Sequence, residues 1–259
     1  MTGKVYIVGA GPGAADLLTL RAANVLQSAA VVLHDDLVSP EVLNLIAPSA
    51  VVINVGKRCG KHSTSQEQIN ALMVFYARRD ATAVVRLKSG DPAIFGRLGE
   101  EIECLRHAEI PFEIVPGITA AHASAAAASL TLTDRRSASA LVLLTAHHCA
   151  NRPAKTWLDP AQTTYAVYMP GPDYGETASQ LVRMGLDDAT PCALVSNASS
   201  NQQQVRFLVL SELQFVSAVA APALLIAGEV ARSRNEAELC PINELLATAG
   251  QQQEAAFGV

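Results

Sequence analysis

Residues 4–13 read Lys-Val-Tyr-Ile-Val-Gly-Ala-Gly-Pro-Gly, and this segment is the strongest indication of the fold class. It begins as a short β-rich run and ends in glycines, which allow a sharp turn at the end of a strand. Residues 14–29 follow with leucine, alanine and valine at helical spacing. A strand that leads through a glycine turn into an amphipathic helix indicates the first unit of an α/β domain.

The same alternation continues to residue 115. Further β-rich runs lie at 31–34, 51–55, 83–87 and 112–115, and helical patterns begin at Ser39-Pro40 and cover 66–79 and 95–107. Ser39 suits the N-cap of its helix, and Pro40 suits the first helical position. Strands separated by helices of this length predict a mainly parallel sheet that is covered on both faces.

The pattern changes after Pro116-Gly117, where an alanine-rich helix is predicted over 119–129. Later strands are predicted at 141–144, 165–168, 191–195, 205–209 and 222–226, and a helix at 177–184. Short polar turns join the last segments, so part of this second sheet is expected to be antiparallel. We therefore predict an N-terminal α/β domain over 1–118, a C-terminal α/β domain over 119–242 and a polar tail over 243–259.

The composition argues against several classes of protein. Half of the 259 residues are hydrophobic, the net charge is −5 and aromatics are only 5%, which argues against disorder and against nucleic-acid binding. No apolar run reaches the ~18 residues of a membrane span, and no signal-peptide pattern is seen. The five cysteines lie more than 40 residues apart. This spacing predicts neither a disulfide framework nor a zinc site, and it favours a cytoplasmic location.

Polar loops follow four strands of the first predicted sheet. They contain Gly9-Ala10-Gly11-Pro12-Gly13, Asp35-Asp36, Val55-Gly56-Lys57-Arg58 with Lys61 and His62, and Lys88-Ser89-Gly90-Asp91-Pro92. The carboxyl ends of parallel strands meet at one edge, where open α/β sheets bind ligands. We therefore expect Asp35, Lys57 and Asp91 to converge on one site. The adjacent His147 and His148 point to opposite faces of a strand, so no metal site is predicted there.

Taken alone, these loops leave other interpretations open. A glycine loop followed by an acid such as Asp35 is typical of dinucleotide-binding domains. The pattern here is GxGPG rather than GxGxxG, and Pro12 removes an N–H from the turn, which disfavours a phosphate cradle. The glycine loop could also be a tight turn without a ligand, Asp91-Pro92 a helix entry, and the basic loop a solvated surface.

Taken together, the segments resemble the tetrapyrrole methylases, and among them the enzymes that methylate uroporphyrinogen III. The matching stretches are 5–13, 17–20, 37–39, 55–58, 66–72, 84–96, 110–121 and 222–230. The resemblance implies two α/β domains with S-adenosylmethionine in the cleft between them, and a homodimer. It implies methylation of uroporphyrinogen III at positions 2 and 7, which gives precorrin-2 for sirohaem and cobalamin, with S-adenosylhomocysteine as the other product.

The resemblance also implies roles for individual residues. Asp35 matches the family's proton acceptor, and Lys57 matches its proton donor. The implied cofactor contacts are Pro12, Ser89, Gly90, Asp91, Ile94, Thr119, Ala120, Met169 and Ala198. A substrate with eight carboxylates favours a locally basic cleft. The candidate substrate-binding cations are Arg58, Lys61, Arg86, Lys88, Arg97 and Arg135.

Departures from the family pattern fall mainly on the substrate side. Asp36 stands where the family usually has arginine, and Asp134 stands where it usually has histidine. Ser89 and Leu98 replace glycines. A carboxylate that faces a propionate is unfavourable, especially where water is excluded. We therefore expect weaker binding of uroporphyrinogen III than in typical members, or preference for a tetrapyrrole with fewer or amidated carboxylates.

Other outcomes are consistent with the same residues. Both acids could instead point to solvent or pair with Arg135 or Arg136. The chain could be a related methylase that acts on a different tetrapyrrole, or a cofactor-binding relative with weakened catalysis. An NAD-dependent oxidoreductase is the alternative that Pro12 disfavours. Measuring whether the chain binds S-adenosylhomocysteine or NAD distinguishes these classes.

Overall fold

Two five-stranded sheets organise the chain in the computed structural model, which describes residues 3–56, 64–79, 83–146, 158–171 and 173–232. The strands of the first sheet lie between residues 4 and 115, and those of the second between residues 140 and 227. The predicted α/β fold is therefore confirmed. Among the described residues, no helix has the length and apolar character needed to cross a membrane.

The first sheet is parallel throughout. It contains β1 (Lys4–Gly9), β2 (Val31–His34), β3 (Val51–Asn54), β4 (Ala83–Lys88) and β5 (Phe112–Val115), in the spatial order β3-β2-β4-β1-β5. Every neighbouring pair in this order runs in the same direction. The carboxyl ends of the five strands consequently lie at one edge of the sheet, as the alternation of strands and helices predicts.

Helices cover both faces of the first sheet. They are α1 (Leu20–Gln27), α2 (Pro40–Leu43), α3 (Gln66–Arg79) and α4 (Leu98–His107). Val8 and Val85 pack with Leu26 of α1 in one core cluster. Ile7 and Leu105 of α4 belong to a second cluster on the other face. Successive residues of β1 thus point into different cores, as expected for a strand in a sheet that is covered on both faces.

Two helices of the first sheet begin later than their sequence pattern predicts. Residues 15–17 form a single 3₁₀ turn, and α1 begins after Thr19, whose side chain accepts a hydrogen bond from Ala22 N–H. The predicted start of α4 at residue 95 is also wrong. Phe95 and Arg97 adopt left-handed φ values of 51° and 55°, which interrupt a helix, so α4 begins at Leu98.

The second sheet is mixed, which confirms the prediction that part of it is antiparallel. It contains β6 (Ala140–Thr145), β7 (Thr163–Tyr168), β8 (Pro191–Ser196), β9 (Gln204–Val209) and β10 (Ala223–Ala227), in the order β6-β7-β10-β8-β9. β6 and β7 are parallel, whereas β10 runs antiparallel to both β7 and β8. The carboxyl ends of β6, β7 and β8 therefore lie at the same edge.

Two helices flank the second sheet, α5 (Ala120–Ala127) and α6 (Tyr174–Arg183). Ala121 and Ala125 of α5 share a core cluster with Ala166 and Ala193 of the sheet, so small side chains meet on both sides. The helix predicted over 177–184 begins earlier, because the Asp173 side chain caps α6. The predicted tail over 243–259 lies outside the described residues.

Candidate active site

The glycine loop after β1 and the Ser-Gly-Asp-Pro loop after β4 are bonded to each other through their backbones. Gly11 N–H donates to the Gly90 carbonyl at 3.2 Å, and Gly90 N–H donates to the Gly11 carbonyl at 2.7 Å. Both residues have positive φ, 69° and 67°, which favours glycine at each position. The two motifs that the sequence places apart thus form one unit at the sheet edge.

Close approach of three strand ends explains further glycines in this unit. A Cβ atom on Gly117, after β5, would lie 2.3 Å from the Gly90 carbonyl oxygen. A Cβ atom on Gly9 would lie 2.7 Å from the Gly117 Cα. Real Cβ contacts essentially never fall below 3.0 Å, so any side chain at either position would push the loops apart.

Asp91 ties the loop after β4 to the loop after β5. Its Oδ2 atom accepts a hydrogen bond from Gly117 N–H at 3.0 Å, and its Oδ1 atom accepts one from Ala93 N–H at 2.8 Å. Each carboxylate oxygen has a second lone pair. Asp91 can therefore order these loops and still accept a hydrogen bond from a ligand.

Tyr168, at the end of β7, joins the two sheets across this edge. Its hydroxyl lies 2.5 Å from Thr119 Oγ1, at the N-cap of α5, and accepts a hydrogen bond from Ala121 N–H at 3.2 Å. Its ring centroid lies 5.0 Å from that of Phe95. Burial raises the pKa of Tyr168, which keeps the hydroxyl protonated.

The loops of the second sheet meet the glycine loop of the first. Ala14 N–H donates to Ser199 Oγ at 3.4 Å. Met169 directly follows β7, and Ala198 is the second residue after β8; Met169 is 43% exposed with a φ of 49°. All the cofactor positions expected from the sequence lie on loops or helix starts at these facing edges: Pro12, Ser89, Gly90, Asp91, Ile94, Thr119, Ala120, Met169 and Ala198.

Asp35 directly follows β2 at the same edge. Its backbone N–H donates to the Leu87 carbonyl at 3.0 Å, which continues the pairing of β2 with β4. Its Oδ1 atom accepts a hydrogen bond from Arg86 Nη2 at 2.5 Å. The Asp35 side chain is 26% exposed, whereas that of Arg86 is 2% exposed. A partly exposed carboxylate is thus held by a buried cation.

The structure corrects the expectation that Arg86 and Lys88 contact a substrate. Both side chains are buried, and Arg86 Nε and Lys88 Nζ each lie 2.9 Å from Oε1 of the fully buried Glu101. Burial lowers the pKa of Lys88, and the neighbouring Arg86 lowers it further. Arg86 and Lys88 alternate with apolar residues on β4, which is covered on both faces. Their charges therefore pair with a buried carboxylate in the interior.

The remaining predicted substrate cations have different surroundings. Arg97 is half exposed and forms two hydrogen bonds with Glu100, at 2.7 Å and 2.6 Å. Arg135 is exposed. Several predicted residues lie outside the described residues: Lys57, Arg58, Lys61, His62, His147 and His148.

The two acids that depart from the family pattern both have polar partners. Asp134 accepts hydrogen bonds from Arg136 N–H at 2.8 Å and from Arg136 Nη2 at 2.7 Å, so the ion-pair alternative is confirmed for this residue. Asp36 Oδ1 accepts one from Asn54 Nδ2 at 3.2 Å. A Cβ atom on Gly56 would lie 2.2 Å from Asp36 N, so Gly56 packs directly on the turn that contains Asp36.

Two residues of the site, Glu101 and Tyr168, are not predicted to be functional by the sequence pattern. Glu101 occurs in the first turn of a helix, where acidic residues are common on the surface. Glu101 lies four residues before the buried Leu105, so both are on the same face of α4. This spacing is the feature of the sequence that predicts burial of Glu101. Among the described residues, no group of three His, Cys, Asp or Glu side chains could hold a metal ion.

Comparison with known families fits this arrangement. The model of the family Tetrapyrrole (Corrin/Porphyrin) Methylases matches residues 4–214. The chain belongs to this family. Siroheme synthase 1 of Yersinia enterocolitica is 46% identical to this chain over 231 residues, which are 88% of the chain and 49% of that protein. Siroheme synthase 1 of Klebsiella pneumoniae is 44% identical over 232 residues, with the same coverage. The chain thus spans about half the length of these curated relatives.

Solved structures resemble this chain over nearly its whole length. The uroporphyrin-III C-methyltransferase of Thermus thermophilus has a TM-score of 0.74 and 36% identity, and the match covers 92% of this chain and all of that one. The Thermus enzyme complexed with S-adenosylhomocysteine also has a TM-score of 0.74. A cobalt precorrin-4 methyltransferase has a TM-score of 0.76 at 28% identity, covering 89% of this chain and 96% of that one.

Proposed function

We propose that this methylase transfers methyl groups from S-adenosylmethionine to carbons 2 and 7 of uroporphyrinogen III, which gives precorrin-2. The observation that carries the proposal is the convergence of the loops after β1, β4, β5, β7 and β8 on one cleft edge. The likeness to the Thermus enzyme over 92% of this chain supports the substrate, and its complex with S-adenosylhomocysteine supports the cofactor.

The cleft edge fits the cofactor in its residue types. Glycines at 11, 90 and 117 bring bare backbone to the edge, and Asp91 retains lone pairs that can accept from a ribose hydroxyl or an ammonium group. Thr119 and Ala120 start α5, whose first-turn N–H groups lie at the same edge. S-adenosylmethionine, when bound, supplies an electrophilic methyl group. The chain's own contribution is to hold the two reactants in line for transfer.

Asp35 is the residue that we propose accepts a proton. Methylation of a ring carbon requires loss of a proton from the macrocycle, and a carboxylate at the cleft edge can receive it. Arg86 holds one oxygen of this carboxylate, and the partial exposure of the side chain leaves it accessible. We propose Lys57 as the proton donor on the strength of the family resemblance alone.

A polyanionic substrate needs cations at the mouth of the cleft. We propose that Arg97 and Arg135 contribute, together with Arg58 and Lys61 of the basic loop. Of these two described cations, Arg97 lies nearer in sequence to the loop that contains Asp91, and its guanidinium is already oriented by Glu100. Surface cations of this kind steer a charged ligand and have effects that weaken with salt.

Further expectations extend the same proposal. We propose a homodimer in the cytoplasm that serves sirohaem and cobalamin synthesis, and we propose a domain boundary at 118/119. The boundary is supported by the end of β5 at Val115 and by the packing of α5 on the second sheet. Light scattering of the purified chain tests the dimer, and separate expression of residues 1–118 tests the boundary.

A single-turnover assay tests the proposed activity. The parent chain, loaded with methyl-labelled S-adenosylmethionine, is expected to transfer label to uroporphyrinogen III under anaerobic conditions. Asp35→Asn keeps the size of the side chain and removes its basicity, so transfer should fall by about 10²–10⁴-fold. Affinity for S-adenosylhomocysteine should stay unchanged. Glu176→Gln, which alters an exposed carboxylate on α6, is the matched control.

Two results would contradict the assignment. Absence of label transfer by the parent chain would refute the substrate, and an Asp35→Asn variant with the parent's rate would refute the base. A related methylase acting on another tetrapyrrole is the second candidate, supported by the likeness to the cobalt precorrin-4 enzyme. It requires faster transfer to a different tetrapyrrole than to uroporphyrinogen III in the same assay.

A further inference from the structure

Four charged side chains form a cluster at the carboxyl ends of β2 and β4: Asp35, Arg86, Lys88 and Glu101. Glu101 Oε1 accepts hydrogen bonds from Arg86 Nε at 2.9 Å, from Lys88 Nζ at 2.9 Å and from Gln66 Nε2 at 3.3 Å. Two cations and two carboxylates make the cluster neutral. We call these four residues the buried ion cluster.

Arg86 is held at every nitrogen of its guanidinium group. Nε donates to Glu101, and Nη1 lies 3.4 Å from the Leu33 carbonyl and 3.2 Å from the Leu87 carbonyl. Nη2 donates to Asp35 Oδ1. The guanidinium is planar and its donors have a fixed geometry. Fixing Nε and Nη1 therefore fixes the direction in which Nη2 points.

Asp35 is thereby held by its backbone and by one carboxylate oxygen. Its N–H pairs with the Leu87 carbonyl, and its Oδ1 atom receives Arg86 Nη2. Within the described part of the chain, no hydrogen bond to Oδ2 is found. The ion cluster thus orients the carboxylate and leaves its second oxygen able to take a proton.

Fold stability alone is a poor account of this arrangement. Removing charges from water costs free energy that their attraction only partly returns, and apolar residues of similar volume often stabilise a protein as well or better. Three members of the cluster, Arg86, Lys88 and Glu101, are almost wholly buried. Burial lowers the pKa of Lys88, because desolvation disfavours its charged form. We infer that the cluster instead fixes the orientation of the Asp35 carboxylate.

We propose that Glu101 is a positioning residue for methyl transfer, because it fixes Arg86 and Arg86 fixes the carboxylate of Asp35. The proposal rests on the proposed function, in which Asp35 accepts the proton. Lys88 contributes the second cation of the cluster and donates a hydrogen bond to Glu101 Oε1 at 2.9 Å. Glu101 touches neither substrate nor cofactor in this role and acts through its neighbours.

A double-mutant cycle tests the proposal. Single-turnover methyl transfer to uroporphyrinogen III is measured for the parent, Asp35→Asn, Glu101→Gln and the combination of both. Glu101→Gln is expected to slow transfer by about 10²-fold, the effect of a small misplacement of a reacting group. Affinity for S-adenosylhomocysteine should stay within about twofold. In the Asp35→Asn background the same change should have no further effect, because the carboxylate that it positions is gone.

Charge-balanced variants keep the test decisive if Glu101→Gln folds poorly. The double variant Glu101→Gln with Lys88→Met removes one charge of each sign, so the cluster stays neutral. It should fold and should show the same slowing as Glu101→Gln. Glu176→Gln on α6 removes an exposed carboxylate and should leave the rate unchanged.

Each outcome decides between positioning and a general structural role. Equal slowing by Glu101→Gln in the parent and Asp35→Asn backgrounds would overturn the proposal, since a general structural defect acts in both. The proposal is also overturned if Glu101→Gln, or the charge-balanced variant, transfers methyl groups as fast as the parent. These failures leave methyl transfer by the parent intact, whereas failure of the proposed function appears as no transfer by the parent.

Discussion

Removing the carboxylate of Asp91 should loosen the cofactor loops and destabilise the fold. In Asp91→Ala, Gly117 N–H and Ala93 N–H both lose their acceptor. A hydrogen bond to a charged group contributes about 1.5–3 kcal/mol. Ala93 is exposed, and water can replace its partner, whereas Gly117 is half-buried. We therefore expect the free energy of unfolding to fall by about 2–3 kcal/mol, or roughly 4–12 °C in melting temperature for a chain of this size.

Cofactor affinity should fall in the same variant. Gly90 is bonded to Gly11 and lies against Gly117, so release of Gly117 disturbs the whole edge. Asp91→Ala also removes lone pairs that are available to a ligand. A loss of about 2–3 kcal/mol corresponds to a dissociation constant for S-adenosylhomocysteine that is roughly 30–150-fold higher. Asp91→Asn keeps one acceptor oxygen, so its affinity and stability should be intermediate.

Calorimetry provides both measurements: titration with S-adenosylhomocysteine and thermal unfolding of the free chain. If Asp91→Ala keeps both the parent's affinity for S-adenosylhomocysteine and its melting temperature, then Asp91 does not hold these loops together and the prediction is refuted. A lowered melting temperature with parental affinity, measured well below the transition, would show that Asp91 orders the loops without contacting the cofactor.

Gly117→Ala should lower cofactor affinity at least tenfold, because its Cβ would lie 2.3 Å from the Gly90 carbonyl and the loops must separate. The matched control is Gly99→Ala in α4, where no atom lies within 4 Å of the new Cβ. It should keep the parental affinity and stabilise the chain by up to ~1 kcal/mol, and equal affinities in the two variants would contradict the steric argument. On the substrate side, Asp36→Arg should tighten uroporphyrinogen III binding by up to about fivefold at low salt, whereas Asp134→His should change it little because that acid is already ion-paired. Titration at two salt concentrations checks both, and equal affinities of parent and Asp36→Arg would show that residue 36 does not face the substrate.

Local hydrophobic patterns predict the order of strands and helices along the chain. The β-rich run at 4–8, the glycines that follow it and the repeated alternation to residue 115 are sufficient for a parallel sheet, because strand and helix periodicity is a property of neighbouring residues. The same patterns mislocated the starts of α1 and α4. Phe95 and Arg97 are compatible with a helix in isolation, and their left-handed φ values come from the loop that carries Asp91.

The candidate site was predicted in part for the same reason. Residues that follow parallel strands must meet at one edge, so Asp35 and Asp91 could be brought together without coordinates. The bond between Gly11 and Gly90 could not be predicted, because it depends on which strands are neighbours. The order β3-β2-β4-β1-β5 is a tertiary property, since it is decided by how the helices pack on the sheet.

Local sequence patterns are sufficient to predict the α/β class and the family, and they locate the loops of the candidate site. The roles of the charged side chains become visible only in the folded chain. Arg86 and Lys88 look like surface cations for a polyanion, yet both lie in the interior, and each pairs with Glu101 from a helix that follows in the chain. The physical reason is that burial and ion pairing depend on what packs above a strand. A one-dimensional pattern records the charge of a side chain but not the partner that neutralises it.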